Sequence, residues 1–319
     1  MQFRTEFKPD KASFMLDPGK PLLLLGSCFA QNVGTMMRNS LWDAEINPCG
    51  VLFNPASIGR AIGLAAGVIP VSPAWQASDG TWRNWDFPTS FASSGKDDCM
   101  AGIRAAIGRL RERLATTQAV IATFGTAIVY ELASEPGHIV ANCHKRPQQE
   151  FIRRRMDIDE ITAIWKETAG IIRDLNPGCR IILTVSPVRH VREGFEANSR
   201  SKAALLLAAE QICRDVAGCC YFPAFEIMTD DLRDYRFCAD DMLHPSEQAT
   251  AYIYSKFRQM FLSPGHESTL RDGEALARRC SHRLLMPESE TALRFSADTA
   301  AAVSRWRTGH PSMLTPDMI

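Results

Sequence analysis

Two short stretches hold the side chains best suited to covalent chemistry. The first, "PLLLLGSCFAQNVG" from Pro21 to Gly34, places Ser27 and Cys28 where an apolar run stops and Gly26 turns the chain. A hydroxyl or thiol held at the carboxyl end of a buried strand is positioned to act as a nucleophile. The residues alone leave two readings open: a strand ending at a turn before a helix, or a nucleophile carried by Ser27 or Cys28. The second stretch, "CADDMLHPSEQA", sets Asp241 and His244 three apart, before a helix that Pro245 is expected to begin. An imidazole there takes a proton at neutral pH, and a carboxylate beside it fixes its tautomer. A surface histidine next to a helix-capping aspartate has the same spacing. With Ser27, the pair completes the set for nucleophilic acyl transfer.

Positioning such groups requires a rigid frame, and the chain contains one. Continuous apolar runs at Leu22 to Leu25, Ala119 to Gly125, Arg180 to Pro187 and Cys219 to Pro223 read as strands buried on both faces. Helical patterns lie between them, at Lys96 to Gln118, Asp157 to Gly178, Asn198 to Gly218 and Pro245 to Leu262. Strand followed by helix, repeated, predicts an α/β fold with an open, doubly wound parallel sheet. Ligands of such sheets sit outside the carboxyl ends of the strands, which selects Ser27, residues 125–130, residues 186–190 and the loop to His244. After Pro264 the pattern changes to amphipathic helices and a polar tail, an extension packed on the domain or on a partner. The expected organisation is a domain over residues 1–263 and a helical extension over 264–319.

Composition excludes several classes. In 319 residues, 36 Lys and Arg balance 36 Asp and Glu, so no global field points to nucleic acid or to an anionic membrane. No segment approaches the roughly 18 to 20 apolar residues of a membrane span, and the N-terminus lacks the apolar core of a secretory signal. The expectation is a soluble cytoplasmic protein. Its 10 cysteines are scattered without Cys-x-x-Cys pairs, which fits reduced thiols better than disulfides or a zinc site. No metal and no cofactor are expected.

The sequence resembles the GSCFA domain family, a branch of the SGNH (GDSL-like) hydrolase superfamily. The resemblance is carried by "GSCFA" (26–30), "NPCGVLFNPASI" (47–58), "TFGTAIVYE" (123–131), "VANCHK" (140–145), "TVSPVRH" (184–190), "NSRSKA" (198–203) and "DYRFCADDMLHPSEQA" (234–249). It spans roughly residues 20 to 262. It implies a three-layer α/β/α fold with Ser27 as nucleophile, His244 as base and Asp241 as its orienter. It also implies that Cys28 turns inward as a core thiol. The superfamily's oxyanion hole usually combines the serine N–H, a glycine N–H and an asparagine side chain, and Gly50 matches the glycine. The asparagine is missing, because the matching place reads Gly125-Thr126-Ala127-Ile128. Asn142 is the candidate substitute, returned to the sheet edge by a hairpin over Val129 to Asn142, with a turn asparagine as the other reading.

Further candidates line the same edge. His144 is a rival base or a substrate-binding group, or else a hydrogen-bonded structural histidine. Arg189 and His190 are placed to contact substrate, Arg189 as a clamp for a carboxylate or phosphate or as a structural ion-pair partner. Lys202 and Asn198 read as residues that begin a helix. Trp75, Trp82, Trp85 and Phe87 fill an insertion that either packs a long loop or stacks on a sugar or acyl chain.

The expected activity is a serine-dependent O-acyl esterase or O-acyltransferase acting on a glycan or other polar ester. Two rivals stand beside it: a non-catalytic glycan-binding or assembly module, and a transferase acting on a phosphorylated or nucleotide-linked sugar. The expected partner is a small-molecule or glycan ester, with no nucleic acid, and with self-association through the C-terminal extension.

Overall fold

The computed structural model describes residues 4–316; residues 1–3 and 317–319, the outer ends of the two expected segments, lie outside the described residues. The chain runs β1 (Leu22–Gly26), α1 (Cys28–Asn39), β2 (Ala44–Ile46), α2 (Pro55–Ala66), the short hairpin β3 (Trp75–Gln76) and β4 (Trp82–Arg83), and α3 (Lys96–Thr116). It continues through β5 (Ala119–Phe124), β6 (Ile128–Leu132), β7 (Phe151–Arg155), α4 (Ile158–Leu175), β8 (Arg180–Val185), α5 (Phe195–Asp215) and β9 (Cys219–Tyr221). A single turn α6 (Ala224–Glu226) precedes α7 (Glu247–Phe261), α8 (Pro264–Cys280) and α9 (Glu290–Gly309).

Five strands form one sheet in the order β2-β1-β5-β8-β9, and every pair in it is parallel. All four apolar runs read from the sequence are in it. Successive side chains of a strand point to opposite faces. Leu23 and Leu25 therefore join a core with α2 to α5, whereas Leu22 and Leu24 join a second core with α1 and α7. The result is a three-layer α/β/α arrangement, helices covering both faces.

β2 is a three-residue edge strand whose alternation is too short to read from sequence. The expected hairpin over Val129 to Asn142 is reduced to a single pairing. β6 pairs antiparallel with β7, and the return at Ile139 makes only an isolated bridge to Glu131. β7 reads "FIRRR", and its arginines hid it from a hydrophobic pattern. Arg154 reaches both Glu131 and Glu160, tying the hairpin to α4.

The C-terminal helices pack on the domain itself. Leu270, Leu276, Trp306 and Met313 enter the core that holds Leu22 and Phe29. α8 runs so close to the end of α1 that a Cβ on Gly273 would stand 2.6 Å from the Ser40 carbonyl oxygen. Among the described residues no helix is long and apolar enough to cross a membrane.

Candidate active site

Ser27 sits where the topology opens a crevice. The chain leaves β1 toward β2 and leaves β5 toward β8, in opposite directions along the sheet, and ligands of open α/β sheets bind at such a switch point. Ser27 follows β1 directly, and Gly125 follows β5. The turn depends on Gly26, which holds φ at +136°, and a Cβ there would stand 2.3 Å from the Thr123 carbonyl oxygen. Gly26 donates its N–H to Asn47 Oδ1 at 2.8 Å and accepts from the Leu52 N–H at 3.0 Å. Both neighbouring loops thus pin the residue before the serine.

Ser27 is the N-cap of α1, yet its hydroxyl does not cap the helix. Ser246, Ser263 and Ser289 hold the same position on α7, α8 and α9, and each accepts from a first-turn N–H as N-cap serines usually do. The Ser27 Oγ is buried and makes no hydrogen bond among the described residues. A buried hydroxyl left unpaired costs about 1 to 3 kcal/mol, so local stability does not explain this one.

The Asp241–His244 pair is formed. Asp241 Oδ2 lies 2.6 Å from His244 Nδ1, while Oδ1 accepts the N–H groups of His244 at 3.0 Å and Leu243 at 2.9 Å. These bonds, led by the two backbone N–H groups, hold the Asp241 carboxyl well below the usual range, at about 2. With Nδ1 engaged, His244 Nε2 is the nitrogen left for proton transfer. The loop is closed by a bridge between Cys238 and Pro245 and by the Ala239 N–H donating to the His244 carbonyl. α7 begins at Glu247 with Ser246 as its cap, two residues later than expected, because Pro245 is used in that bridge. Both side chains of the pair are partly exposed, whereas Ser27 is buried, and no hydrogen bond joins them.

Cys28 is not the core thiol expected. It is half-buried and lies on the outward face of α1 with Gln31, Asn32 and Thr35, while Phe29, Ala30, Val33 and Met37 take the core. Its sulfur lies near enough to Lys202 and Asp241 to feel both charges, and burial pushes the thiol up from its ordinary value. At neutral pH it stays protonated, and a thiol is a far weaker nucleophile than a thiolate.

Beneath the site, α5 turns a polar strip toward the strand ends. Lys202 is buried and donates from Nζ to the carbonyls of Gly125 at 2.7 Å and Ser186 at 2.6 Å. Ser201 Oγ accepts from the Ala127 N–H at 2.8 Å, and Asn198 Oδ1 accepts from the His190 N–H at 3.1 Å. The side chains expected only to begin a helix thus fasten the carboxyl ends of β5 and β8. Their signal was present in the sequence, since Asn198, Ser201 and Lys202 continue the buried face of Leu205, Ala208 and Ile212.

The sequence model of the GSCFA family matches residues 21–257. The chain belongs to the GSCFA family. No curated protein matches it. Among solved structures, a carbohydrate esterase family 3 protein from Talaromyces cellulolyticus is 11% identical, with a TM-score of 0.37, covering 79% of this chain and 99% of that one. A serine-to-alanine mutant of an acetyl esterase, determined with an acetate ion, is also 11% identical, with a TM-score of 0.35 over the same shares.

In this GSCFA chain the remaining candidates divide between the site and the scaffold. Arg189 stands against the dyad loop, donating its backbone N–H to the Leu243 carbonyl at 3.2 Å. Its guanidinium lies over the Tyr235 ring, 5.2 Å from the centroid, and edges a cavity of about 260 Å³ that Leu243 also lines. His190 Nε2 is buried without a partner among the described residues, and burial together with the Lys202 charge lowers its pKa, so the ring is held neutral. Gly50 donates its N–H to the Asn47 carbonyl at 2.7 Å within a turn, and Asn142 Oδ1 accepts from the His144 N–H at 2.7 Å. The Gly50 N–H is thus spent inside its own turn, and the Asn142 side chain is anchored through its oxygen.

His144 is buried with both ring nitrogens engaged, Nδ1 3.0 Å from Thr89 Oγ1 and Nε2 2.9 Å from the Asn84 carbonyl. Trp75 and Trp85 stack at 4.3 Å and both flank its ring, and Phe87 is buried, so these insertion aromatics pack the long loop. Among the described residues no cluster of His, Cys, Asp or Glu is placed to hold a metal ion.

Proposed function

We propose that this GSCFA protein is a serine-dependent enzyme that cleaves or transfers an acyl group on oxygen, with a glycan or another polar ester as substrate. The observation that carries the reading is the pairing of a formed Asp241–His244 dyad with a buried serine hydroxyl that caps nothing at the sheet's switch point. Ser27 Oγ bonds to the acyl carbon and gives its proton to His244 Nε2. The ester C–O bond then breaks, and the leaving alkoxide takes that proton as the alcohol departs. Water or a second hydroxyl attacks the acyl-serine, returning the proton to Ser27 through His244. Asp241 stabilises the imidazolium throughout. The opening N–H groups of α1, which the Ser27 hydroxyl does not cap, lie at the Ser27 end of the helix and favour the oxyanion. Closing the triad requires the His244 ring to reach Ser27, a contact that commonly tightens only when substrate is bound. Arg189 and His190 border the substrate side.

The engagement of the Gly50 N–H within its turn favours one second reading, a glycan-binding module without turnover. Labelling with a fluorophosphonate, read by intact mass, separates the two. The enzyme reading expects one adduct on Ser27 that is lost in His244→Ala and Ser27→Ala and kept in Cys28→Ala. An unlabelled wild-type protein that binds glycan equally well as Ser27→Ala selects the binding module, and an adduct lost only in Cys28→Ala moves the nucleophile.

A further inference from the structure

The chemistry proposed for Ser27 leaves Lys202 without a task, and its surroundings are unusual for a lysine. The side chain is 1% exposed and forms no ion pair with a carboxylate among the described residues. Its Nζ instead rests on two carbonyl oxygens, those of Gly125 and Ser186, with the Phe225 ring 5.9 Å away. Burying a charge without a counter-charge is expensive, and carbonyl dipoles hold an ammonium without cancelling it. Burial accordingly pushes Lys202 down to about 7, far below an ordinary lysine. An apolar side chain would fill this position of α5 at lower cost.

The location gives the charge a use. Gly125 lies against the nucleophile, since a Cβ on it would be 3.4 Å from Ser27 Cβ, and Ser186 ends the next strand. The Cys28 sulfur, one residue from Ser27, and the His190 ring both feel the Lys202 charge. Acyl transfer develops negative charge at this point, and one neutral donor expected for it, the Gly50 N–H, is spent within a turn. Below its titration near 7, a cation held in a water-poor site acts on such charge far more strongly than one in solvent.

We propose that Lys202 is the positioning residue of the Ser27 site: clamped by the carbonyls of Gly125 and Ser186, its ammonium stabilises the negative charge that develops on the acyl oxygen attached at Ser27 during acyl transfer. The inference rests on the serine-enzyme reading above. It assigns Lys202 no contact with substrate.

The test uses the full chain, a fluorophosphonate for the rate of Ser27 modification, and p-nitrophenyl acetate for kcat and KM. Lys202→Met removes the charge at similar length. Lys202→Gln keeps hydrogen-bond donors for the carbonyls without a charge. Both variants are expected to modify Ser27 at least about tenfold more slowly and to lose kcat while KM moves less than about twofold. Should the methionine variant fail to fold, the glutamine variant carries the comparison. A folded Lys202→Gln that labels and turns over at the wild-type rate overturns the inference, because hydrogen bonding alone then suffices. A wild-type protein that never labels at Ser27 overturns the serine-enzyme reading instead, and the inference with it.

Discussion

Asp241 holds His244 twice, through its backbone N–H and through the imidazole at 2.6 Å, and accepts the Leu243 N–H as well. The loop and the ring are fixed by one carboxylate. Asp241→Asn keeps an oxygen for the backbone and loses the charge that stabilises the imidazolium. Turnover of p-nitrophenyl acetate is expected to fall about 10²- to 10⁴-fold, with a modest drop in Tm at pH 7. Because the folded Asp241 titrates at about 2 and the unfolded group near 3.8, its contribution is present above 3.8 and lost as pH falls toward 2. The difference in Tm between the wild type and Asp241→Asn should shrink across that window.

Lys202 is also lowered on folding, so its linkage has the same sign in a higher pH range. The folded chain releases its proton near 7, and the unfolded chain keeps it to about 10.5, so the unfolded state binds more protons between those values. Stability should rise with pH from 7 to 10.5 in the wild type relative to Lys202→Met. Urea midpoints measured at several pH values in that range check the sign, and a parallel pair of curves contradicts it.

Gly26 tolerates no side chain. An alanine there combines an unfavourable φ of +136° with a backbone oxygen 2.3 Å from its Cβ, so the β1–β5 contact must open. Gly26→Ala should lose about 2 to 4 kcal/mol of stability by chemical denaturation, and Ser27 labelling should fail in whatever remains folded.

His144 is expected to matter for stability and not for turnover. Replacing it by Ala strands the Asn84 carbonyl and the Thr89 hydroxyl and empties the ring site beside Trp75 and Trp85. Stability should drop by about 1 to 3 kcal/mol or more, while kcat/KM per folded molecule holds within a few-fold. A selective loss of kcat/KM at unchanged Tm would return His144 to the substrate site.

The C-terminal helices are expected to belong to the folding unit. A chain ending at residue 263 removes Leu270, Leu276, Trp306 and Met313 from the core shared with α1. It should melt at a lower temperature than the full chain and expose apolar surface to a hydrophobic dye. Equal Tm values would show the extension to be an independent appendage.

Residue order was informative wherever a property is local. The runs at Leu22, Ala119, Arg180 and Cys219 are strands because continuous apolar residues have few other uses at that length. The Asp241–His244 contact is local too, a bond between residues three apart in one loop. Gly26 and Ser27 were legible as a strand end for the same reason. β7 was not, since "FIRRR" gains its stability from Glu131 and Glu160, which lie elsewhere in the chain.

The sequence by itself determined the class of sheet, the family blocks and the three groups proposed as a triad. Tertiary structure alone decided which of those groups are free to act. It turned Cys28 outward by the phase of α1, engaged both nitrogens of His144, and tied Gly50 and Asn142 into turns. It also carried Lys202 from the middle of α5 to the ends of two strands. The physical reason is common to all: hydrogen bonds and burial depend on partners distant in sequence, and residue types reveal only what each side chain is able to do.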